Sequence, residues 1–254
     1  MAGDLVLEHL VVTDRLDAIS SHLAPGAVTA ICGPNGAGKS TLLSCLAGLL
    51  TPDAGTVGLG EIPLSQMAAD ARARSLGYLP QAPEVAWDLS VETLVSLGRL
   101  PWRGAPAQEA QAAIDAAIAA MDLGGLRTRS VSRLSGGERA RALMARVLAT
   151  KPDWLLADEP LANLDLAHAA SLMRRFHEQA AEGRGVVLVL HDLATAMNHA
   201  DRVLVLNRGR LIADGTPDEA LSEAVIRKVW SVDVQWLGER GTRALAVGLA
   251  SDEK

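Results

Sequence analysis

A glycine-rich segment at residues 33–41 carries chemistry that can be read from residue types alone. It fits the pattern G-x-x-x-x-G-K-[ST], whose backbone N–H groups surround nucleotide phosphates. Lys39 would reach the β- and γ-phosphates, and the Ser40 hydroxyl would bind Mg²⁺. Chance alone gives such a match in roughly one chain of this length in a hundred, but here the segment follows an apolar run and precedes helical sequence. The predicted phosphate-binding loop comprises Gly33, Pro34, Asn35, Gly36, Ala37, Gly38, Lys39, Ser40 and Thr41.

Three further sites carry polar side chains directly after apolar runs. Asp158 and Glu159 follow residues 154–157, Gln81 follows residues 76–79, and His191 follows residues 186–190. An acidic pair at such a place is often a helix cap, but beside a phosphate loop Asp158 can hold Mg²⁺ through water and Glu159 can act as general base. Most single histidines are structural, yet one at a strand end near a nucleotide can contact the γ-phosphate.

Strands and helices must alternate to bring these groups together. Apolar runs at residues 28–32, 76–79, 154–157 and 186–190 read as buried strands, with helical sequence between them. This pattern predicts an α/β fold with a mainly parallel sheet covered on both faces, and ligands bind at the carboxyl ends of such strands. Residues 4–31 read as short strands and turns that run into the buried strand at 28–32, which predicts an N-terminal antiparallel β subdomain before it, and residues 82–140 read as an inserted helical subdomain.

Smaller elements complete the prediction. Ser65 is a plausible N-cap for a short helix over residues 66–74, and the helix after the glycine loop should run from Lys39 to about Leu50. Alanine-rich sequence at 107–121 predicts a helix with an apolar stripe. Further helices are expected at 166–181 and 193–199, a hairpin around 207–209, and a short helix with a hairpin after 217.

Composition limits the class of protein. The 254 residues carry a net charge of −6, which argues against a general nucleic-acid binder. The longest apolar runs fall well short of the roughly 20 residues that cross a bilayer, and the first ten residues lack the basic start of a signal peptide. We therefore expect a cytosolic protein that can dock on a membrane partner. Cys32 and Cys45 make neither a disulfide framework nor a four-ligand metal site, so we expect reduced packing residues.

A second glycine turn, Ser-Gly-Gly within residues 134–138, decides which kind of phosphate-binding protein the sequence resembles. With the glycine loop at 33–41, Gln81, the acidic strand end at 154–159, the turn at 162–165 and His191, it forms an ordered set over nearly the whole chain. These motifs resemble the ABC ATPase family, a P-loop NTPase fold. Residues 91–102 and 224–249 are similar to importers of metal chelates, namely iron–siderophore, haem and cobalamin.

The resemblance implies a single domain over 1–254, with a nucleotide-binding core at 1–81 and 141–254 and a helical subdomain at 82–140. It implies ATP and Mg²⁺ as cofactors, with Ser40, Gln81 and Asp158 at the metal and Lys39, Gln81, Glu159 and His191 in catalysis. Two copies would pair head to tail and sandwich each ATP between the P-loop of one and the signature turn of the other. That second half-site would comprise Ser135, Gly136, Gly137 and, at the dimer seam, Asp165.

The same resemblance implies partners and a location. A chain with one cassette and no membrane span would work with two polytopic membrane permease subunits, and indirectly with a substrate-binding protein, at the cytoplasmic face of the bacterial inner membrane. A soluble ABC ATPase in iron–sulfur assembly and a nucleotide-binding regulator without turnover are the alternatives. No nucleic-acid partner is expected. Iron chelates and cobalamin are expected about equally, and the choice between them stays open because the substrate would not touch this subunit.

Two features depart from simple expectations. Residues 4–31 contain no Phe, Tyr or Trp, whereas most family members stack an aromatic ring on adenine from this region, so base selectivity is expected to be weak. Residues 150–153 and 122–125 resemble the base-reading and D-x-x-G motifs of GTPases. Both stand at the wrong places, because the first precedes the acidic strand and the second follows a helix.

Overall fold

The computed structural model describes residues 2–81, 88–162 and 164–248. Part of the predicted helical insertion, residues 82–87, and residue 163 of the turn at 162–165 lie outside them. The strands are β1 (Leu5–Val12), β2 (Leu16–Leu23), β3 (Val28–Cys32), β4 (Ala54–Leu59), β5 (Ile62–Pro63), β6 (Leu76–Leu79), β7 (Trp154–Asp158), β8 (Gly185–Val189), β9 (Arg202–Asn207), β10 (Arg210–Gly215), β11 (Val234–Leu237) and β12 (Ala244–Val247).

A six-stranded sheet in the order β10-β9-β3-β8-β7-β6 forms the centre of the molecule. Its strands run parallel except β10, which pairs antiparallel with β9. Every residue of β3, β7 and β8 is buried, as expected when helices cover both faces of a parallel sheet. The order brings the carboxyl ends of β3, β8, β7 and β6 side by side. The predicted α/β fold with a mainly parallel sheet is confirmed.

A second, antiparallel sheet in the order β2-β1-β4-β5 covers one side of the central sheet. Strand β1 buries Leu5, Leu7 and Leu10, and an irregularity in the pairing with β2 between Leu7 and Leu10 returns the strand to the same face after three residues. These leucines share one apolar core with Ile31 of β3 and Leu42. The predicted N-terminal antiparallel layer is therefore present and is packed against the nucleotide-binding sheet.

The helices are α1 (Lys39–Leu46), α2 (Ala69–Ser75), α3 (Val91–Ser96), α4 (Ala107–Ala120), α5 (Gly136–Ala149), α6 (Leu166–Ala181), α7 (Leu193–His199), α8 (Pro217–Ala220) and α9 (Glu223–Trp230). Helices α3, α4 and α5 pack on one another, and their buried side chains join the core under the central sheet. Helix α5 continues past residue 140, so the boundary predicted there falls inside a helix. None of the helices in the described ranges is long and apolar enough to cross a membrane.

Two predicted helix boundaries are wrong. Residues Leu64–Gln66 form one 3₁₀ turn, and α2 begins only after Ala68, whose backbone is extended, so Ser65 caps no α-helix. Helix α1 ends at Leu46 instead of near Leu50, because Gly48 adopts a left-handed conformation with φ +65° just past its end, a common way for helices to stop.

Trp102 joins the helical cluster to the core. Its indole nitrogen donates a hydrogen bond of 2.8 Å to the carbonyl oxygen of Thr150, directly after α5. The guanidinium groups of Arg74 and Arg99 lie 4.8 Å and 5.0 Å from the centre of the ring. Two cations at this range of an aromatic ring are favourable contacts, so Trp102 fixes α2 and the end of α5 relative to each other.

Candidate active site

The glycine loop connects β3 to α1, as predicted. Two of its glycines are required by sterics: a Cβ at Gly38, where φ is +100°, would lie 2.7 Å from the backbone oxygen of Arg15, and one at Gly33 would overlap the oxygen of Leu206. The buried Lys39 ammonium donates hydrogen bonds of 2.8 Å and 2.9 Å to the carbonyl oxygens of Gly33 and Pro34. Burial lowers the pKa of Lys39, and the negative charges around it act in the opposite direction.

Asp158 closes the floor of the site at the end of β7. The residue is 4% exposed, and its pKa is raised because burial disfavours the charged form, although a hydrogen bond with Ser40 and the charge of Lys39 act against the rise. The atom Oδ1 has no hydrogen-bond partner among the described residues. A buried carboxylate oxygen without a partner, next to a hydroxyl, is the kind of group that fits the water shell of Mg²⁺.

Glu159 stands one residue further, at the turn out of the strand. Its backbone has φ +50°, an uncommon conformation for a residue with a side chain, and strained backbone of this kind clusters at functional sites. Its amide donates to Val189 of the neighbouring strand over 3.2 Å. The side-chain amide of Gln81 donates to Glu159 Oε2 over 2.7 Å, and Nε2 of His191 is hydrogen-bonded to Oε1.

Apart from Asp158, which is buried behind the lining, these groups face one cleft of about 760 Å³, large enough for a nucleotide. The cleft brings together Gln81, Glu159 and His191, which follow β6, β7 and β8, and Lys39, the first residue of α1. It is lined by Asp14, Arg15, Asn35, Gly36, Ala37, Gly38, Lys39, Ser40, Thr41, Gln81, Glu159 and His191. Among the described residues, no Phe, Tyr or Trp is in that lining.

Asp14 and Arg15 were missed by the sequence reasoning. They form the turn between β1 and β2, and Asp14 has φ +60°. The backbone oxygen of Arg15 lies so close to Gly38 and Gly209 that a Cβ on either glycine would be 2.7 Å from it. Gly209 connects this hairpin to the glycine loop, because its oxygen accepts from the Asp17 amide over 2.8 Å and its amide donates to the Ala37 oxygen over 3.0 Å. The only local signal was a polar turn between two alternating strands, which indicates a hairpin but not its neighbour in space.

The signature turn (residues 134–138) lies outside this cleft. Ser135 caps α5 through a capping box: its hydroxyl accepts from the Glu138 amide over 3.3 Å, and its own amide donates to the Glu138 carboxylate over 2.8 Å. Asp165 likewise caps α6, by accepting from the His168 amide over 2.8 Å. One chain therefore does not bring Ser135, Gly136, Gly137 or Asp165 to its own glycine loop.

The cleft offers few charged groups of its own to a metal. Within residues 2–81, 88–162 and 164–248 there is no cluster of three or more His, Cys, Asp or Glu side chains able to hold an ion. One buried carboxylate and one hydroxyl suit Mg²⁺, which keeps several waters and is usually shared with substrate phosphates. Cys32 and Cys45 flank the loop as free, buried thiols. Burial raises the pKa of Cys32 to about 12 and that of Cys45 to about 11, so both stay protonated.

Comparison with known proteins agrees with this geometry. Residues 16–162 match the family model described as ABC transporter. The chain belongs to the ABC transporter family. The predicted resemblance and the prediction of an ATP-hydrolysing protein are confirmed.

Relatives of known name extend the similarity over nearly the whole chain. The chain is 41% identical over 240 residues to the hemin import ATP-binding protein HmuV of Streptomyces coelicolor, covering 94% of this chain and 86% of the relative. It is 43% identical to HmuV of Nocardia farcinica over 233 residues, covering 91% and 81%. In Pseudomonas putida, HmuV is 41% identical over 224 residues, covering 86% and 88%.

Solved structures share the architecture. A metal-chelate type ABC transporter in an inward-facing conformation superposes with a TM-score of 0.84 at 23% identity, covering 99% of both chains. The subunit cbiO1 of Clostridium perfringens, part of the ABC transporter complex cbiONQ, superposes with a TM-score of 0.78 at 30% identity, covering 90% of this ABC protein and 95% of cbiO1.

Proposed function

We propose that this protein is the ATP-hydrolysing subunit of an importer for a metal chelate, with hemin as the chelate. The support is its 37–43% identity to hemin import ATP-binding proteins of several bacteria. Its partners are two polytopic membrane permease subunits, to which it binds at the cytoplasmic face of the bacterial inner membrane. A substrate-binding protein would deliver the chelate to those permeases.

The glycine loop binds the phosphates of ATP. Its backbone amides and the N-terminus of α1 attract the phosphate charge, and Lys39 exchanges the carbonyl oxygens of Gly33 and Pro34 for the β- and γ-phosphate oxygens. Ser40, Asp158 and Gln81 would hold Mg²⁺, which supplies charge stabilisation when bound. The unpartnered Oδ1 of Asp158 supports this assignment, because a bound ion would satisfy it through water.

Glu159 acts as the general base for the attacking water. One observation supports this role. Its carboxylate is hydrogen-bonded to Gln81 on one oxygen and to His191 on the other, at the mouth of the phosphate cleft. Gln81 and His191 follow β6 and β8, the strands on either side of β7. Their hydrogen bonds orient the Glu159 carboxylate toward the place where the γ-phosphate would lie. With ATP and Mg²⁺ bound, Gln81 would help to hold the metal and His191 would contact the γ-phosphate, which would leave the Glu159 carboxylate free to accept a proton from water.

A second copy of the chain completes each site. The signature turn and Asp165 lie outside the cleft of their own chain, so they are available to the cleft of a partner arranged head to tail. ATP would close this dimer and hydrolysis would open it, which is a population shift driven by a ligand.

Turnover and assembly of Glu159→Gln test the mechanism. We expect its ATPase rate to fall by at least about 100-fold, since a general base contributes 10²–10⁴-fold, while MgATP converts it to a dimer by size-exclusion mass. Glu61→Gln is the matched control, because Glu61 is exposed in the turn between β4 and β5. Turnover that persists, in a chain that stays monomeric with ATP, would contradict both the base and the shared site.

The transported chelate needs a separate test in cells. We expect a strain that lacks this protein to lose growth on hemin as the only iron source and to regain it with the wild-type chain but not with Glu159→Gln. Growth on an iron–siderophore and uptake of cobalamin serve as the comparisons. Loss of one of these, with hemin use intact, would reassign the substrate. Failure of the tagged protein to retain a polytopic membrane protein would favour a non-transport role.

A further inference from the structure

His168, which no motif singled out, is in the first turn of α6, and its ring lies beside the signature turn. Its backbone amide and its Nδ1 both bind Asp165 Oδ1, at 2.8 Å and 2.7 Å. Because a carboxylate can only accept, Nδ1 carries the proton in this bond. One histidine therefore closes the cap of α6 with its main chain and with its side chain.

The other side of the same ring lies against the signature turn. A Cβ built on Gly137 would lie 2.7 Å, 2.8 Å and 3.0 Å from Cδ2, Cγ and Nε2 of His168. These distances are too short for any side chain at residue 137 unless the ring moves. By contrast, a Cβ on the adjacent Gly136 would meet no atom within 4 Å. Any side chain at residue 137 would therefore displace the ring of His168, a residue in the next helix of its own chain, so glycine is required here for as long as the ring keeps this position.

We propose that His168 is a positioning residue for the shared ATP site: it fixes the signature turn relative to Asp165 within each chain. This inference rests on the proposed head-to-tail dimer, in which both groups meet the partner. The signature turn begins α5 and Asp165 begins α6, so the capping bonds of each helix hold only the turn at its own start. The His168 ring touches both, through a hydrogen bond on one side and van der Waals contact on the other.

The expected consequence is specific to dimer closure. Misplacing reacting groups by about 1 Å can cost about 100-fold in rate. If the signature turn shifts relative to Asp165, these two groups of one chain cannot both fit the partner chain at the same time. The cleft of the same chain contains neither group, so ATP binding to a single chain should not change. Replacing a residue that only stabilises the fold would not weaken dimer closure while leaving ATP binding to a single chain unchanged.

The test uses the full chain in the Glu159→Gln background. Binding of a fluorescent ATP analogue at low protein concentration reports the single-chain cleft, and size-exclusion mass across ATP concentrations reports closure. For His168→Ala we expect the ATP concentration at half-maximal dimer to rise at least tenfold, with single-chain affinity unchanged within twofold. His177→Ala, on the same helix but packed near His199, is the matched control and should change neither. His168→Asn, which can still donate to Asp165, should recover part of the loss.

A second variant pair tests the contact without any dimer. Gly137→Ala should lower the melting temperature by about 5 °C through overpacking, Gly136→Ala should not, and adding His168→Ala to Gly137→Ala should restore most of the loss. The inference is overturned if His168→Ala forms dimers at the same ATP concentration as its parent, or if the double variant does not recover the lost melting temperature. Either result leaves the proposed function standing. If Glu159→Gln itself never dimerises, the shared site falls, and this role of His168 with it.

Discussion

Replacing Asp158 with asparagine should stabilise the nucleotide-free protein while it disables the site. In the free protein a carboxylate is buried with one oxygen unpartnered, and its pKa is raised by burial. A raised pKa in the folded state means that ionisation opposes folding. The stability linked to this group is full below the unfolded pKa of about 3.8 and is lost as pH rises through the higher folded value. An asparagine side chain at this position would stay neutral at every pH.

The magnitude follows from what the substitution leaves behind. A buried unsatisfied polar group costs about 1–3 kcal/mol, and more when it is charged. The asparagine oxygen can still accept from Ser40, but its NH₂ group takes the unpartnered place, so only the difference between a charged and a neutral group is recovered. We therefore expect a gain of about 1 kcal/mol at pH 7, which corresponds to about 2–4 °C in Tm.

Urea and thermal unfolding with EDTA, at pH 7 and at pH 4, measure this gain. It should shrink at pH 4, where the wild-type carboxyl approaches neutrality. With MgATP the order should reverse, because wild type is stabilised by ligand binding, by about 2.7 kcal/mol at 100 times Kd, and Asp158→Asn much less. Asp153→Asn, at the exposed residue just before the same strand, should show neither effect. A nucleotide-free Asp158→Asn protein that is less stable than wild type would refute the reasoning.

Three further outcomes follow from the contacts described above. Trp102→Ala should lower the free energy of unfolding by about 2–3 kcal/mol, since it removes ring packing, two cation–π contacts and the hydrogen bond to Thr150. Trp102→Phe, which keeps a ring, should lose about half of that in the same urea titration, and equal losses for the two variants would show that the ring contacts contribute nothing. Cys32 and Cys45 should not react with an aromatic disulfide reagent at pH 8 in the native state, and both should react in guanidinium, because burial keeps them protonated. GTP should support turnover with kcat/KM within about tenfold of ATP, and a strong ATP preference would show that the cleft reads the base after all.

The sequence allowed much of the site to be predicted because its geometry is local. Strand β3, the glycine loop and the start of α1 follow one another in the chain, so their spacing fixes their arrangement. Gln81, Glu159 and His191 needed one more step, namely that parallel strands end at the same edge of a sheet. The bounds of β3, β6, α6 and α7 agree with the predicted residues, because the two strands are apolar runs that end at turns and the two helices begin after the capping residues Asp165 and Asp192.

What could not be predicted depends on contacts between distant parts of the chain. Ser65 has the right chemistry for a cap, yet the chain continues through a 3₁₀ turn and extended residues, while Arg72 of α2 donates back to the Leu64 carbonyl over 3.2 Å. Arg15 reaches the cleft only because the turn between β1 and β2 lies on Gly38. No periodicity or capping pattern reports such contacts.

The internal bonds of Lys39 bear on how fast the site can fill. With its ammonium held by the carbonyl oxygens of Gly33 and Pro34, the loop already has its curved shape before any nucleotide arrives. In the proposed function, an incoming phosphate would replace these two partners and would not have to order a flexible segment, a preorganisation that lowers the entropic cost of binding. Nucleotide entry would then be governed by diffusion into an open cleft, and the slow steps of the proposed cycle would be the movements of whole subunits.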